Sequence, residues 1–192
     1  RGARLLKPLV FILSLVPIGY LALGALRGTL GANPIEHITR STGIWTLRFM
    51  LITLAVTPIR RLAGWNDLVR VRRMLGLFAF FYGSLHLVTY VWLDQFFDWA
   101  AIVKDVSKRP FITAGFSAYV LLVPLALTST AGMIRRLGGR RWRRLHRLAY
   151  ASAAIGILHY WWLVKLDTRP PRNYAILLAV LLLARLFAVR KS

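Results

Sequence analysis

Cysteine is absent from this chain of 192 residues. That excludes disulfides, cysteine-ligated iron–sulfur clusters, cysteine-type zinc sites, cysteine nucleophiles and covalently attached c-type heme. Acids are scarce: 6 Asp+Glu stand against 27 Lys+Arg, for a formal net charge of +21. Such a basic balance ordinarily points to nucleic acid. Here, however, 57% of residues are hydrophobic and mean hydropathy is +0.56, above the roughly 45–50% apolar content of soluble domains. So much apolar surface argues for no nucleic-acid partner. It indicates a lipid bilayer crossed several times, with basic residues in the loops.

Six apolar runs predict an all-α integral membrane protein, a six-transmembrane-helix bundle forming a single domain over 1–192. The spans fall at about 8–26, 44–59, 74–93, 111–131, 145–164 and 174–189, near the ~20 residues that cross ~30 Å of hydrocarbon. The second and sixth are short and borrow flanking residues. The first is too long for a signal-peptide core and lacks a small-residue cleavage pattern, so it is expected to be retained. A first residue of Arg1 leaves room for a natural start upstream. No fixed-period repeat and no low-complexity tract is visible.

Basic residues set the orientation. Seventeen lie on one side: in the N-terminus, 60–73, 132–147 and the tail. Eight lie on the other, with Arg48 and Arg185 inside spans. This bias places both termini in the cytoplasm. The Arg-rich stretch Arg135–Arg147 reads either as a topology anchor touching anionic headgroups or as a docking surface for a cytosolic partner. Trp45, Trp92, Trp99, Trp161 and Trp162 fall near the far boundary, as an interfacial belt does.

No Asp or Glu lies inside a predicted span. This argues against proton pumps and carboxylate-lined ion paths, and excludes carboxylate-bridged di-iron sites. Histidine is present instead. His86 in the third span and His159 in the fifth stand at matching depth on parallel spans, roughly 18–21 Å from the cytoplasmic edge at 1.5 Å per residue. Two such imidazoles can ligate one iron from opposite faces of a porphyrin, and the simplest alternative is a structural hydrogen bond between helices. Each follows a glycine at the same offset, Gly83-Ser-Leu-His86 and Gly156-Ile-Leu-His159. A missing side chain there suits a flat macrocycle. Two imidazole ligands make iron six-coordinate, fit for electron transfer and closed to oxygen, and without cysteine the heme is b-type.

A second site is open to two readings. His146, at the cytoplasmic end of the fifth span, is a ligand of a lower heme with Arg72 or Arg73 near its propionates or iron, or else an interfacial histidine. His146 does not align with His159 on an ideal helix, whereas Arg72 shares the His86 face. His37 reads as an ordinary loop histidine. Arg48 either snorkels or pairs with a propionate.

Several stretches resemble the MsrQ (YedZ) family. They are Arg72-Arg73-Met-Leu-Gly76, Gly83-Ser-Leu-His86-Leu-Val-Thr-Tyr90, Leu127-Thr128-Ser129-Thr130, Trp142-Arg-Arg-Leu145-His146-Arg-Leu148-Ala-Tyr150, Leu158-His159-Tyr160 and Leu30-Gly31-Ala32-Asn33-Pro34. The likeness covers essentially the whole chain. It implies a ferric-reductase-like heme domain, related to the NADPH oxidases, in the bacterial cell inner membrane. It implies a subunit that passes electrons to a periplasmic molybdopterin-containing reductase of oxidised methionine, from the quinone pool or a cytosolic flavin reductase. By this resemblance the heme histidines are His86, His146 and His159, and FMN accompanies heme b. NADPH oxidases carry a fourth histidine where Arg72 stands here.

No Gly-x-Gly-x-x-Gly follows a strand, and the chain ends just past the sixth span, so the electron source is expected on another protein. The function expected is therefore an electron-transfer subunit rather than a catalytic one. The alternatives are a related cytochrome serving another acceptor, such as ferric ion, and a small transporter or interaction scaffold.

Overall fold

A computed structural model describes residues 2–164 and 166–190, and all regular structure among them is helical. The helices are α1 (Gly2–Arg27), α2 (Pro34–Ala63), α3 (Val69–Val88), α4 (Trp99–Lys108), α5 (Pro110–Leu127), α6 (Ala131–Leu145), α7 (Leu148–Leu163) and α8 (Arg169–Arg190). A 3₁₀ turn, Asn66–Leu68, precedes α3, and a π-helical turn, Thr89–Asp94, extends it. Five stretches among the described residues are long and apolar enough to cross a membrane: Leu5–Arg27, Pro34–Ala63, Asn66–Asp94, Pro110–Leu127 and Arg169–Phe187. The sixth expected span is α7, an apolar helix of 16 residues, about 24 Å long at 1.5 Å per residue. Of the basic residues used for orientation, Arg1, Lys165 and Lys191 lie outside the described residues.

The expected boundaries need three corrections. First, α2 starts ten residues early, at Pro34, so His37 sits in a helical first turn and not in a loop. Asn33 caps that turn: its Oδ1 accepts from the Glu36 N–H at 3.1 Å and its Nδ2 donates to Glu36 Oε2 at 3.2 Å. Proline at the first helical position costs no hydrogen bond. At the other end Gly64 takes the left-handed φ of 68° that closes a helix. Second, the stretch 94–110 contains α4, an amphipathic helix capped by Asp98. The chain enters it through Phe96 and Phe97 at φ 48° and 61°, a left-handed conformation that strains residues bearing Cβ. Third, the Arg-rich stretch is helical as α6, broken at Gly138 (φ 72°).

Four helices form the centre. α2 runs antiparallel to α3: Thr53 stands beside Gly76, Thr46 beside Gly83 and Gly43 beside His86. α5 and α7 pair the same way, with Gly115 beside His159 and the Ser152 hydroxyl donating to the Ala118 carbonyl at 2.8 Å. α3 meets α5, α8 covers α2 and α7, and α1 lies outside α3. The aromatic core is continuous: Phe49 stacks on Tyr82 at 5.3 Å and on Phe78 at 5.7 Å. Outward side chains such as Leu9, Ile12 and Val16 of α1 are exposed, as a lipid-facing surface requires.

Tyr82 ties α1 to this centre. It is fully buried. Its hydroxyl donates to the Ser14 carbonyl at 2.8 Å and accepts from the Ile18 N–H at 3.2 Å. Those two groups are helix partners one turn apart, beside Pro17. The phenol is thus inserted at a weakened point of the α1 ladder. Tyr82→Phe removes the side-chain bonds that fasten α3 to α1 at this point, and a loss of about 1–3 kcal/mol is expected. It reads as a lower Tm in detergent, with the histidine site retained.

Candidate functional site

The four central helices enclose a cavity of about 620 Å³. Its walls are mostly apolar, and His86 and His159 face each other across it. Their ring centres are 6.1 Å apart, with planes crossing at 72°. The depth matching expected from sequence thus holds: two helices that share a direction bring the two imidazoles together. Gly83 and Gly156 also line the cavity. A Cβ at Gly83 would meet Thr46 at 3.4 Å, and one at Gly156 would meet Leu47 only at 4.0 Å. Gly156 therefore borders open space, whereas a Cβ at Gly83 would also meet Tyr119 at 3.5 Å and Leu122 at 3.8 Å.

Each imidazole is held from behind. His86 Nδ1 donates to the Thr39 carbonyl at 2.8 Å, and His159 Nδ1 donates to the Phe111 carbonyl at 2.6 Å. These bonds set the tautomer and leave Nε2 as the free lone pair. No protein partner for either Nε2 exists among the described residues. Two features of this support were not anticipated. Each carbonyl lies one turn before a glycine on the neighbouring helix, Gly43 on α2 and Gly115 on α5, and each imidazole packs on that glycine. The two halves match position for position: Thr39 with Phe111, Gly43 with Gly115, Gly83 with Gly156, His86 with His159. The sequence shows no repeat because the correspondence lives in a few positions among unrelated apolar ones.

One end of the cavity carries charge. Arg40 and Asp167 reach it. Arg40 pairs with Glu36 at 2.6 Å. Asp167 pairs with Arg169 at 2.9 Å, and hydrogen bonds from Arg169 hold its carboxyl below the usual range. Arg48, the expected candidate for a polar ligand edge, is instead turned over the Trp45 ring at 4.7 Å, with Nε donating to the Tyr174 hydroxyl at 3.2 Å.

His146 stands apart from this cavity. It occupies the turn between α6 and α7, which is why helical alignment with His159 does not apply. Its ring stacks on Trp142 at 3.9 Å, and Nε2 meets the Thr128 hydroxyl at 3.1 Å. The Trp142 indole donates to the Thr128 carbonyl at 2.9 Å. Arg72 lies within electrostatic reach of His146, Tyr150, Arg60 and Arg185, whereas Arg73 is exposed. Arg185 lies over the Tyr150 ring at 5.1 Å. Its Nη1 is buried and unpartnered among the described residues.

A bundle of long apolar helices with two opposed imidazoles at its centre defines a class. A family model described as ferric reductase like transmembrane component matches residues 42–157, and the chain belongs to that family. Within it the chain belongs with the MsrQ proteins. It is 60% identical over 185 residues to the "Protein-methionine-sulfoxide reductase heme-binding subunit MsrQ" of Herminiimonas arsenicoxydans, covering 95% of this chain and 85% of that one. The protein of the same name from Azospira oryzae is 55% identical (95% and 78% covered). That from Ralstonia nicotianae is 52% identical (98% and 88% covered).

Thr128→Val tests the His146 cluster. It removes the hydroxyl partner of Nε2 while keeping the side-chain shape. The expected result is about 1 kcal/mol lost and faster amide exchange across Trp142–Arg147, with the His86–His159 pair unaffected.

Proposed function

We propose that this chain is a b-type cytochrome subunit. It would pass electrons across the bacterial inner membrane to a periplasmic molybdopterin-containing methionine-sulfoxide reductase. The observation that carries the reading is the pair His86 and His159, opposed across a cavity with each Nδ1 tied to a carbonyl. Iron bonded to two imidazole nitrogens at about 2 Å each places ring centres roughly 6 Å apart. The separation of 6.1 Å fits. Among the described residues no cluster of three His, Asp or Glu offers a bare-metal site. A group that brings its own equatorial ligands suits two histidines alone, and a cavity of about 620 Å³ falls in the range of ordinary cofactor pockets.

His86 and His159 would be the axial ligands, with Gly83 and Gly156 bordering the macrocycle. Bound this way, heme supplies one-electron transfer with no open coordination position. The protein's part is to hold both imidazoles neutral, oriented and shielded by apolar walls. Six spans, α7 among them, with both termini cytoplasmic, put this pair toward the outer boundary, where an acceptor docks. The milder outer segments around 94–110 and 165–173 form that docking face.

A second heme, at His146, has support of its own. Arg72 lies near His146, Tyr150, Arg60 and Arg185, and Arg185 Nη1 is a buried donor without an acceptor among the described residues. Propionates answer that need, with Arg72 half-buried there and Arg73 exposed. His146 would then exchange its bond to Thr128 for the iron. Electrons would enter on this side from the quinone pool or a cytosolic flavin reductase. FMN belongs to the proposal through family likeness alone, and no residues are assigned to it.

The tests follow from the ligand roles. His86→Ala and His159→Ala should each abolish the outer heme, read as heme-to-protein ratio and as reduced-minus-oxidised difference bands. His146→Ala should lose less and alter a distinct, lower-potential signal. Full heme in all three variants would sink the assignment. Charge reversal at Lys104 and Lys108 should slow reduction of the periplasmic acceptor with heme content intact. Arg109 is a weaker probe because it is already paired with Asp105 at 3.2 Å. Unchanged acceptor reduction removes that docking face from the reading, and reduction of ferric ion in place of the acceptor favours a different ferric-reductase-like role.

A further inference from the structure

The two histidines are treated alike by their neighbours, and the treatment is unusual. A carbonyl inside an α-helix already accepts from the N–H four residues on. Thr39 and Phe111 each take a further donor, an imidazole Nδ1, at 2.8 and 2.6 Å, and the Thr39 carbonyl also has the Thr42 hydroxyl at 3.0 Å. The residue four positions on lies beside that carbonyl, and an ordinary side chain there shields it. In both cases the residue is glycine: Gly43 and Gly115.

The space is also tight. A Cβ at 43 would stand 3.1 Å from both Nδ1 and Cε1 of His86. A Cβ at 115 would stand 2.8 Å from Nδ1 and 2.9 Å from Cε1 of His159. Both are closer than ordinary van der Waals contact, and both fall on the ring edge that donates to the carbonyl. The glycines therefore do more than make room. They let each ring lie flat on the neighbouring helix, at the one rotation where Nδ1 meets its carbonyl. The two planes that result cross at 72°.

We propose that Gly43 and Gly115 are positioning residues that fix the crossed orientation of the two axial imidazoles, and through it the electronic state of the iron. This rests on the heme reading above. A ligand imidazole interacts through its π system with the iron d orbital perpendicular to its plane. Parallel planes act on the same orbital and split the pair. Crossed planes act on different orbitals and leave them nearly degenerate. A crossed pair thus gives a low-spin ferric heme with a strongly anisotropic paramagnetic spectrum and a largest g-value well above that of a parallel pair. Gly83 and Gly156 do not share this role, since neither has a histidine as its close neighbour.

The experiment uses the full chain, as purified and in native membranes, with Gly43→Ala, Gly115→Ala and Gly76→Ala. Gly76 is the control: it is helical too, and a Cβ there meets only Thr53, at 3.6 Å. Readouts are heme-to-protein ratio, electron paramagnetic resonance of the ferric state, and midpoint potential. Wild type and Gly76→Ala should share the crossed-plane signal. Gly115→Ala should shift the largest g-value and the potential, and retain heme about tenfold less well, as overpacking of this size implies. Gly43→Ala, with the milder contact, should move the same readouts less and keep enough heme to measure. Wild-type spectrum and potential in both Gly43→Ala and Gly115→Ala would overturn the proposal while leaving the heme reading intact. If wild type itself shows no low-spin two-imidazole signal, the heme reading fails first.

Discussion

Everything near the centre of this protein depends on two hydrogen bonds from imidazole to backbone. His86 donates to the carbonyl of Thr39 and His159 to that of Phe111. An imidazole among apolar helices has two nitrogens to satisfy, and a backbone carbonyl is the partner that each Nδ1 finds here. Spending Nδ1 on a carbonyl settles the tautomer and turns the basic Nε2 toward the cavity. It also fastens α3 to α2 and α7 to α5 at the same level. The pairing of the four central helices and the orientation of the site are therefore one constraint.

The same constraint explains the distribution of small residues. Gly43 and Gly115 stand where the imidazoles lean, while Gly83 and Gly156 stand where the cavity needs width. In membranes small residues usually serve close helix approach. Here they divide into two roles, separable by what a Cβ would touch. Elsewhere the helices are held by large groups. Phe49, Phe78 and Tyr82 form a stacked seam between α2 and α3. The Tyr82 hydroxyl repairs the α1 ladder beside Pro17. Rigidity in that seam, next to openness in the cavity, lets a site exist without collapsing.

What the amino-acid sequence disclosed follows physical cost. A histidine in a membrane is expensive and rare, so His86 and His159 stood out, and rise per residue placed them level. Gly83 and Gly156 were legible because they precede those histidines at one offset. The carbonyls of Thr39 and Phe111 were not legible, since every residue has one. Gly43 and Gly115 leave no mark until the neighbouring helix is known. The early start of α2 was hidden by Glu36, His37 and Arg40, which depress hydropathy, although the Asn33-Pro34-x-Glu36 cap was there to be read. α4 and α6 were missed because a helix lying along a boundary is amphipathic and half polar. His146 was expected within the same helix as His159, but it stands in the turn of 146–147 between α6 and α7, so helical alignment with His159 has no bearing.

Charge completes the logic. In the spanning stretches Pro34–Ala63 and Asn66–Asp94 the carboxylates Glu36, Asp67 and Asp94 stand near the ends, away from the middle of the helices. Two neutral imidazoles facing each other do not repel, and apolar walls cost them little. Such an interior suits a carrier whose charge changes by one electron at fixed ligands, because small changes in geometry keep the reorganisation low. Arg40 stands at one mouth of the cavity, while Arg72 lies near His146 with Arg185 beside it. Carboxylates of a bound group would be drawn to those arginines and its apolar body left between the helices. Arg40 is already met by Glu36, whereas the buried Nη1 of Arg185 has no partner among the described residues and is the donor that an anionic group would answer.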